Sequence, residues 1–538
     1  MENVKGKVKD VVTKHDASRV IQTLVRYGSQ SQRDTVAHEL QGAYRDLIQS
    51  RYSRHLVLKL IRCCPSLRPQ IFSEFHGHVI RLLLHRDATD IISSAFTDYA
   101  SQPERNLLIR DFYGKEVALF DSEKLKAGGL KAVMEDADEA RKGRIMSALK
   151  SSLTRIFDNP DKGAVGHPVV HRALWEYLQE VSRLPTPEEQ TKARNEMFEN
   201  CQELLAEMAH TKDGSRAVRE FVAWGSAKDR KKILKTFKPH LEKMCLDDQA
   251  QLVLFTCLDA IDDTKTLISS IVNDVVSLAP KLVFPSSPAD PSATDVAAGR
   301  RSLIYLLLPR DPRYFTPALI RTIAETDDVI TQTSKKDAEL RKKEILAGAS
   351  EGLLKFVTSE AEKLVRDPAG TLVAADVVLH ADGDKTAATR ALLRPLVDST
   401  FPPPPSSSEP HPIDLAHSSR LYKTLLQGGR FSRESKSVIP VPSYSAINFA
   451  RSMLNDVGKE NLLTMATDGG GAFVLTELLE RFIKDGTDEE KKELKAWVGS
   501  KMAKKRIEGS GAKGKDALLS KTISKSTFLD FMRHLSLD

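Results

Sequence analysis

A period of 35 to 36 residues recurs through the first half of this 538-residue chain. DASRVIQTLVRYGS starts at Asp16, RYSRHLVLKLIRC at Arg51 and RDATDIISSAFTDYA at Arg86, and they align on Ser18, Ser53 and Thr89 at offsets of 35 and 36. KDGSRAVREFVAWGS from Lys212 sets Ser215 in that register, and DDQAQLVLFTCLDAIDD from Asp247 sets Gln251 there, 36 residues later. Between them KGAVGHPVVHRALWEYL places His167 in register at a stretched spacing. A unit this short cannot bury its own apolar face, so its copies must stack into one continuous core. That rules out a single compact core, which the length also disfavours.

Within each copy a small or polar pair opens a run with apolar pairs behind it: Val20–Ile21, Ile91–Ile92, Val169–Val170, Ala217–Val218 and Val253–Leu254. A second apolar set follows one turn on, at Leu24–Val25, Phe96 and Leu258. This is a buried stripe at helical period. Asp or Ser ahead of each run suits a helix N-cap. Segments such as RDTVAHELQGAYRDLIQ supply further helices between the runs. Hydrophobic residues make up 41% and aromatic residues only 6%, which favours helix over strand. The expected fold is therefore all-α, a superhelical array of stacked repeats. On period alone, a HEAT, armadillo or TPR-type solenoid that docks proteins satisfies the same pattern.

The function classes narrow by what the chain lacks. MENVKGKVKDVV has no apolar signal core, and no stretch is long and apolar enough for a membrane helix. The chain is thus expected to be soluble, intracellular and without membrane contact. The five cysteines, Cys63, Cys64, Cys201, Cys245 and Cys257, have no CxxC spacing, so reduced structural thiols are expected. No P-loop, GxGxxG or HExxH string occurs. DGDK (Asp382–Lys385) and KDGTDEE (Lys484–Glu490) lack the alternating ligands of a calcium loop and are read as turns. No catalytic residue, metal site or cofactor is expected.

Lys and Arg number 80 against 73 acids, a net charge of +7. The excess is local. Residues 1–120 hold 18 basic and 13 acidic side chains, 212–243 hold 10 and 4, and 491–515 hold 9 and 2. Such clusters suit a polyanion, though any one charge run is as often a solvated face.

The string KHDASRVIQ (Lys14–Gln22) resembles the core of a Pumilio (PUF) repeat, and KDGSRAVR (Lys212–Arg219) is similar to it. In base-reading members, the residues matching Ser18 and Gln22 read a base edge, and the one matching Arg19 stacks between bases. Other repeats depart from that code. They carry Val57, Ser93, His171, Arg219 and Phe255 where the first has Gln22, and Arg54, Asp90, Pro168, Arg216 and Leu252 where it has Arg19. Val57 and Phe255 cannot hydrogen-bond a base, and Asp90 repels phosphate, so one base per repeat cannot be read.

GRRSLIYLLLPRDPRYFTP from Gly299, with TSKKDAELRKKEIL from Thr333, resembles the CPL domain of divergent Pumilio-like proteins, Puf-A and its fungal nucleolar counterparts. DAIDDTKTLISSIV from Asp259 is similar to the stretch ahead of that domain. GGGAFVLTELLERFIKDG from Gly469 resembles a terminal repeat, with Ala472, Phe473 and Thr476 in the facing positions. The resemblance implies three-helix repeats in an array longer than the base-reading one and bent into an L. It implies binding of RNA, and of DNA in vitro, with little base preference. It also implies nucleolar assembly of the large ribosomal subunit with pre-rRNA processing, translational repression of mRNA as a second role, pre-ribosomal proteins as partners, and a monomer. Family members usually begin with a Lys-rich extension and an additional repeat, whereas this chain opens almost directly in its first readable one.

The expected organisation is N-terminal repeats over 1–120, middle repeats over 121–284, a linker at 285–298, a CPL-like region over 299–430 with a Pro-rich loop at 401–412, and repeat-like helices with a basic segment over 431–538. The expected RNA-binding residues are Arg19, Gln22, Arg26, Arg51, Arg54, His55, Lys59, Lys212, Arg216, Arg219, Arg230, Lys231 and Lys232. The alternative is a protein-docking solenoid, with Val57 and Phe255 offering an apolar site.

Overall fold

The periodic segments fold as three-helix repeats in a computed structural model that describes residues 6–120, 122–284, 294–404, 409–432 and 435–511. Most of the 285–298 linker, the tip of the Pro-rich loop and the end of the basic segment lie outside the described residues. The chain divides into two compact units. One comprises Met1–His240, Leu252–Ala260 and Thr326–Thr333, and the other Leu241–Gln251, Ile261–Glu325 and Ser334–Asp538.

In the first unit each repeat has an opening helix, short except for the 19-residue Glu139–Phe157, a second helix carrying the periodic stripe, and a third helix. The first copy is Val8–Val11, His15–Tyr27 and Gln30–Glu39. The next is Tyr44–Ile48, Arg54–Cys63 and Arg68–Ser73, and the third Val79–Leu83, Thr89–Ser94 and Gln102–Ile109. Farther on stand Glu139–Phe157, Pro168–Val181 and Pro187–Cys201, then Leu205–Met208, Lys212–Trp224 and Ala227–Phe237. The second helices stack side by side: His15–Tyr27 on Arg54–Cys63, that on Thr89–Ser94, and Pro168–Val181 on Lys212–Trp224. Ile21, Val25, Leu56, Val57, Leu60, Ile61, Ile91 and Ile92 fill the seams.

Two local expectations fail. Val20, expected in the buried stripe, is 63% exposed, while its register partners Ile91, Ala217 and Val253 are buried. The side-chain caps also sit elsewhere. Ser18 and Ser215 are buried inside their second helices, and Ser53, at the N-cap position of Arg54–Cys63, is buried without a side-chain cap bond. Ser29, Ser101 and Ser226 instead form capping boxes on third helices. The expectation holds at two others: Thr211 caps Lys212–Trp224, and Asp247 accepts from the Gln249 and Ala250 amides, each at 2.8 Å, at the start of Ala250–Ala260.

Two polar devices recur with the period. An acid of the following segment holds each loop into an opening helix. Glu74 accepts from the Gly42 and Tyr44 amides at 2.6 and 2.8 Å, and Asp111 from those of Gly77 and Val79 at 3.0 and 2.9 Å. An arginine of the third helix also closes the carbonyl end of the second, where helix geometry leaves acceptors without donors. Arg33 donates to Val25 and Arg26, Arg68 to Ile61 and Arg62, Arg105 to Phe96 and Thr97, and Arg230 to Val222 and Ala223. Arg68 also reaches the Tyr99 carbonyl, and Arg230 that of Ala260, so the clamp ties one repeat to the next.

The second unit is built on the long helix Ala338–Ser359. Gly348 and Gly352 lie on one face of it. A Cβ at Gly348 would stand 2.7 Å from Ile268 Cδ1, and one at Gly352 2.5 Å from Val276 Cγ1. Only glycine allows that approach. Pro368–His380 packs on Ala416–Gln427, which packs on Ala472–Asp485. A short antiparallel hairpin pairs Gly429–Ser432 with Ser437–Pro440. Arg430 on it reaches Asp311 at 2.6 Å and also pairs with Asp376, a wholly buried carboxylate that accepts from the Tyr314 hydroxyl as well. The RDPRYF string thus pins the hairpin to the helical body. KDGTDEE is a turn whose Thr487 caps the helix Asp488–Val498, and Asp384 of DGDK accepts from the Thr386 amide at 2.9 Å. All five cysteines are free thiols. Burial pushes Cys64 up to about 11 and Cys245 and Cys257 up to about 12.

Candidate nucleic-acid interface

The seam between the first two second-helices begins at Ser18. Its hydroxyl donates to the Tyr52 carbonyl at 3.3 Å. One turn on, the Gln22 amide nitrogen donates to the same carbonyl at 3.3 Å and to Ser18 Oγ at 3.2 Å. The Gln22 amide oxygen accepts from Lys59 Nζ at 3.0 Å. Both ends of the amide that could read a base edge are therefore engaged within the protein.

Cations surround this chain of hydrogen bonds. Arg19, Arg26 and Arg51 are exposed, and none is in an ion pair among the described residues. Arg26 lies 5.1 Å from the Tyr27 ring centroid and Arg51 5.8 Å from that of Tyr52. The His15 ring meets Tyr52 edge-on at 5.0 Å. Burial, then Arg26, lowers the Lys59 ammonium below its usual range. Burial, then Arg54 and Lys59, lowers His55, which leaves a neutral imidazole at pH 7. Arg19, Gln22, Arg26, Arg51, His55 and Lys59 thus all lie on or beside the two helices that form this seam.

The remaining candidates separate. Arg54 is not an open cation. It donates to the Asp87 carbonyl at 3.2 Å and lies 3.3 Å from the Asp87 carboxylate and 3.7 Å from that of Asp90. Arg219 is corrected outright. It is 1% exposed, and its Nε donates to Thr256 Oγ1 at 3.0 Å. Arg230 is corrected as well. It is buried with four donations, to the Val222, Ala223 and Ala260 carbonyls and to Thr333 Oγ1, at 2.8 to 3.0 Å. Its neighbours Lys231 and Lys232 ride on a third helix, outside the second-helix layer. Lys231 is exposed, whereas Lys232 donates to Gln202 Oε1 at 2.9 Å. Lys212 is exposed at the start of Lys212–Trp224, and Arg216 one turn on lies 5.9 Å from the Trp175 ring centroid.

Facing positions that break the code have structural reasons. Val57 and Phe255 are fully buried, so they offer no apolar site to a docking partner. His171 is sealed between Thr211 Oγ1 and the Val165 carbonyl at 2.7 and 2.8 Å, and burial pushes it down to about 3. In the terminal repeat Phe473 is 48% exposed with the Lys423 ammonium 5.6 Å from its ring centroid, while Ala472 and Thr476 are nearly buried. Tyr52 and Trp175 are the aromatic neighbours that sequence reasoning missed. The visible signals were an aromatic directly ahead of Ser53 and one eight residues after His167. Among the described residues no helix is long and apolar enough to cross a membrane. Nor, among them, is any group of three His, Cys, Asp or Glu placed to hold a metal ion.

The CPL (NUC119) domain family matches residues 297–437. The chain is 30% identical over 496 residues to Pumilio homology domain family member 6 of Schizosaccharomyces pombe, covering 91% of this chain and 71% of that protein. It is 29% identical over 521 residues to Pumilio homolog 3 of Homo sapiens, covering 96% and 74%. The crystal structure of human Puf-A aligns with a TM-score of 0.74 at 29% identity, over 96% of this chain and 93% of that one. The crystal structure of human Puf-A in complex with DNA aligns at 0.73. Repeat register, helix order and CPL match agree, and the chain belongs to the Pumilio-type helical-repeat proteins, in the divergent branch that carries a CPL domain.

Proposed function

We propose that this chain binds RNA with little base preference through the exposed cations of its first repeats. The reading extends to work in the nucleolus, in assembly of the large ribosomal subunit and pre-rRNA processing among pre-ribosomal proteins, as a monomer, with translational repression of mRNA as a second role. One observation carries the first part. Arg19, Arg26 and Arg51 stand exposed around a Gln22 amide that is already satisfied on both sides, so phosphate attraction outweighs edge reading. The complex of human Puf-A with DNA supports a nucleic-acid partner for the branch. The nucleolar assignment rests on kinship with that branch.

The test reverses charge at Arg19, Arg26 and Arg51 together. Affinity for several unrelated RNAs is expected to fall alike. The slope of log affinity against log salt is expected to flatten by about 2, at roughly 0.7 per lost phosphate contact on a single strand. Unchanged affinity in a folded triple variant removes this face from the mechanism. Crosslinking in growing cells reads the biological part: bound fragments are expected to map chiefly to pre-rRNA, and a map confined to mRNA overturns the assembly role.

A further inference from the structure

We infer that the seam between the first two repeats holds one unpaired nucleobase of single-stranded RNA, stacked on the ring of Tyr52. The inference rests on the RNA-binding reading above and narrows it to a strand form.

The backbone of Tyr52 is fixed by two donors of the preceding repeat, Ser18 Oγ and Gln22 Nε2, each 3.3 Å from its carbonyl. The residue is nevertheless 37% exposed. The core does not explain such a ring, since Tyr44, Tyr113 and Tyr422 elsewhere in the chain are sealed at 2% exposure or less. The ring already carries a polar and a cationic neighbour. His15 of the first repeat meets it edge-on with centroids 5.0 Å apart, and the Arg51 guanidinium lies over the ring, 5.8 Å from its centroid. Behind the ring the chain Lys59 to Gln22 to Tyr52 holds the two helices in register. It also uses up the polar groups that could have read a base edge.

What remains for a ligand is the aromatic surface that Arg51 and His15 leave exposed, with the guanidinium already over the ring. Stacking on an aromatic side chain tolerates any base, because every base has a π-face, and a guanidinium adds cation–π attraction. A base inside a duplex has both faces covered by its neighbours, so this platform distinguishes unpaired from paired strands without reading sequence. Tyr52 precedes Ser53 and lies outside the three facing positions marked in the first repeat by Ser18, Arg19 and Gln22. The platform is therefore a contact additional to the helix-face code.

Fluorescence anisotropy with a labelled twelve-nucleotide single strand and a duplex of the same length decides the matter, using the full chain and the variants Tyr52→Ala and Tyr52→Phe. Folding is monitored by circular dichroism and thermal midpoint. Tyr52→Ala is expected to weaken the single strand roughly tenfold, with duplex affinity and salt slope unchanged. Tyr52→Phe, which keeps the π-face, is expected to bind like the parent. Three outcomes overturn the platform: Tyr52→Ala has no effect on the single strand, it weakens both strand forms equally, or Tyr52→Phe fails as badly as Tyr52→Ala. If the parent binds RNA in a salt-dependent way while Tyr52→Ala is silent, the general reading survives and only the platform falls. If the parent binds neither strand form at physiological salt, both fall.

Discussion

Replacing Arg230 by alanine is expected to unfold rather than to unbind. The guanidinium makes four donations, three of them to backbone carbonyls, and only 4% of the residue is exposed. Removing it leaves the Val222, Ala223 and Ala260 carbonyls short of donors in a buried seam. An unmet buried polar group costs about 1–3 kcal/mol. Water entering the space vacated by the side chain offsets part of that, and no charge then has to be kept desolvated. A net loss of about 3–5 kcal/mol follows for three carbonyls. Arg230→Lys recovers little, because one ammonium cannot reproduce a planar fork spanning two adjacent carbonyls and a third from the next repeat. The assay is urea unfolding followed by circular dichroism, with Lys231→Ala alongside. That exposed neighbour is expected to stay within about 0.5 kcal/mol of the parent. An Arg230→Ala protein with an unchanged unfolding midpoint but weakened RNA affinity would refute the assignment of this arginine to the fold.

Two further predictions test the packing and the buried histidine. Gly352→Ala sets a methyl against Val276 Cγ1, where an ideal Cβ lies only 2.5 Å away, and is expected to destabilise the second unit by about 1–3 kcal/mol in thermal unfolding; an unchanged midpoint shows that the helices can part freely. His171 titrates in the folded chain only near pH 3, against an ordinary value of 6.5. Between those values the unfolded chain holds the extra proton, so stability falls as pH drops through the window. From pH 7 to pH 5 the parent is expected to lose about 2 kcal/mol more than His171→Gln, read from urea midpoints. Parallel pH profiles for the two proteins contradict a sealed neutral imidazole.

What the sequence made legible was local. The period, the all-helical content and the CPL string all lie in short-range pattern, and the described helices and the domain match agree with them. What stayed hidden depended on distant partners. The RKK run at Arg230–Lys232 looks uniformly basic, yet its first member turns inward to carbonyls seven and eight residues behind it and thirty ahead. The clue was present in the alignment: Arg33, Arg68 and Arg105 stand in the same place behind their own second helices. The RDPRYF string marked a family without revealing its task, because Asp311 meets Arg430 119 positions away. Val20 reads as core for the same reason. Its apolar character is visible, but the cover given to its register partners in later repeats is not.

Asp90 shows why counting charge along the array misleads about where a strand can run. It occupies the position that Arg19 holds in the first repeat, and read alone it is a repulsive residue for phosphate. In the fold it lies 3.7 Å from Arg54, whose side chain is only 22% exposed and also meets Asp87. The departure at Asp90 and the arginine retained at Arg54 therefore compensate each other. An arginine at the facing position of the second repeat is tolerated in a half-buried seam because the third repeat supplies carboxylates, and those acids are tolerated because the arginine neutralises them. The consequence is electrostatic. Along the first seam Arg19, Arg26 and Arg51 have no ion pair among the described residues, whereas at the second the arginine in the Arg19 position, Arg54, is held by Asp87 and Asp90, and the exposed Arg86 opens the third segment as Arg51 opens the second. A strand drawn by phosphate attraction alone is expected to find less open charge at the second seam, where Asp90 replaces the arginine of the first repeat. In this chain the pairing state of each arginine, beyond the number of basic residues per repeat, is expected to shape the contact.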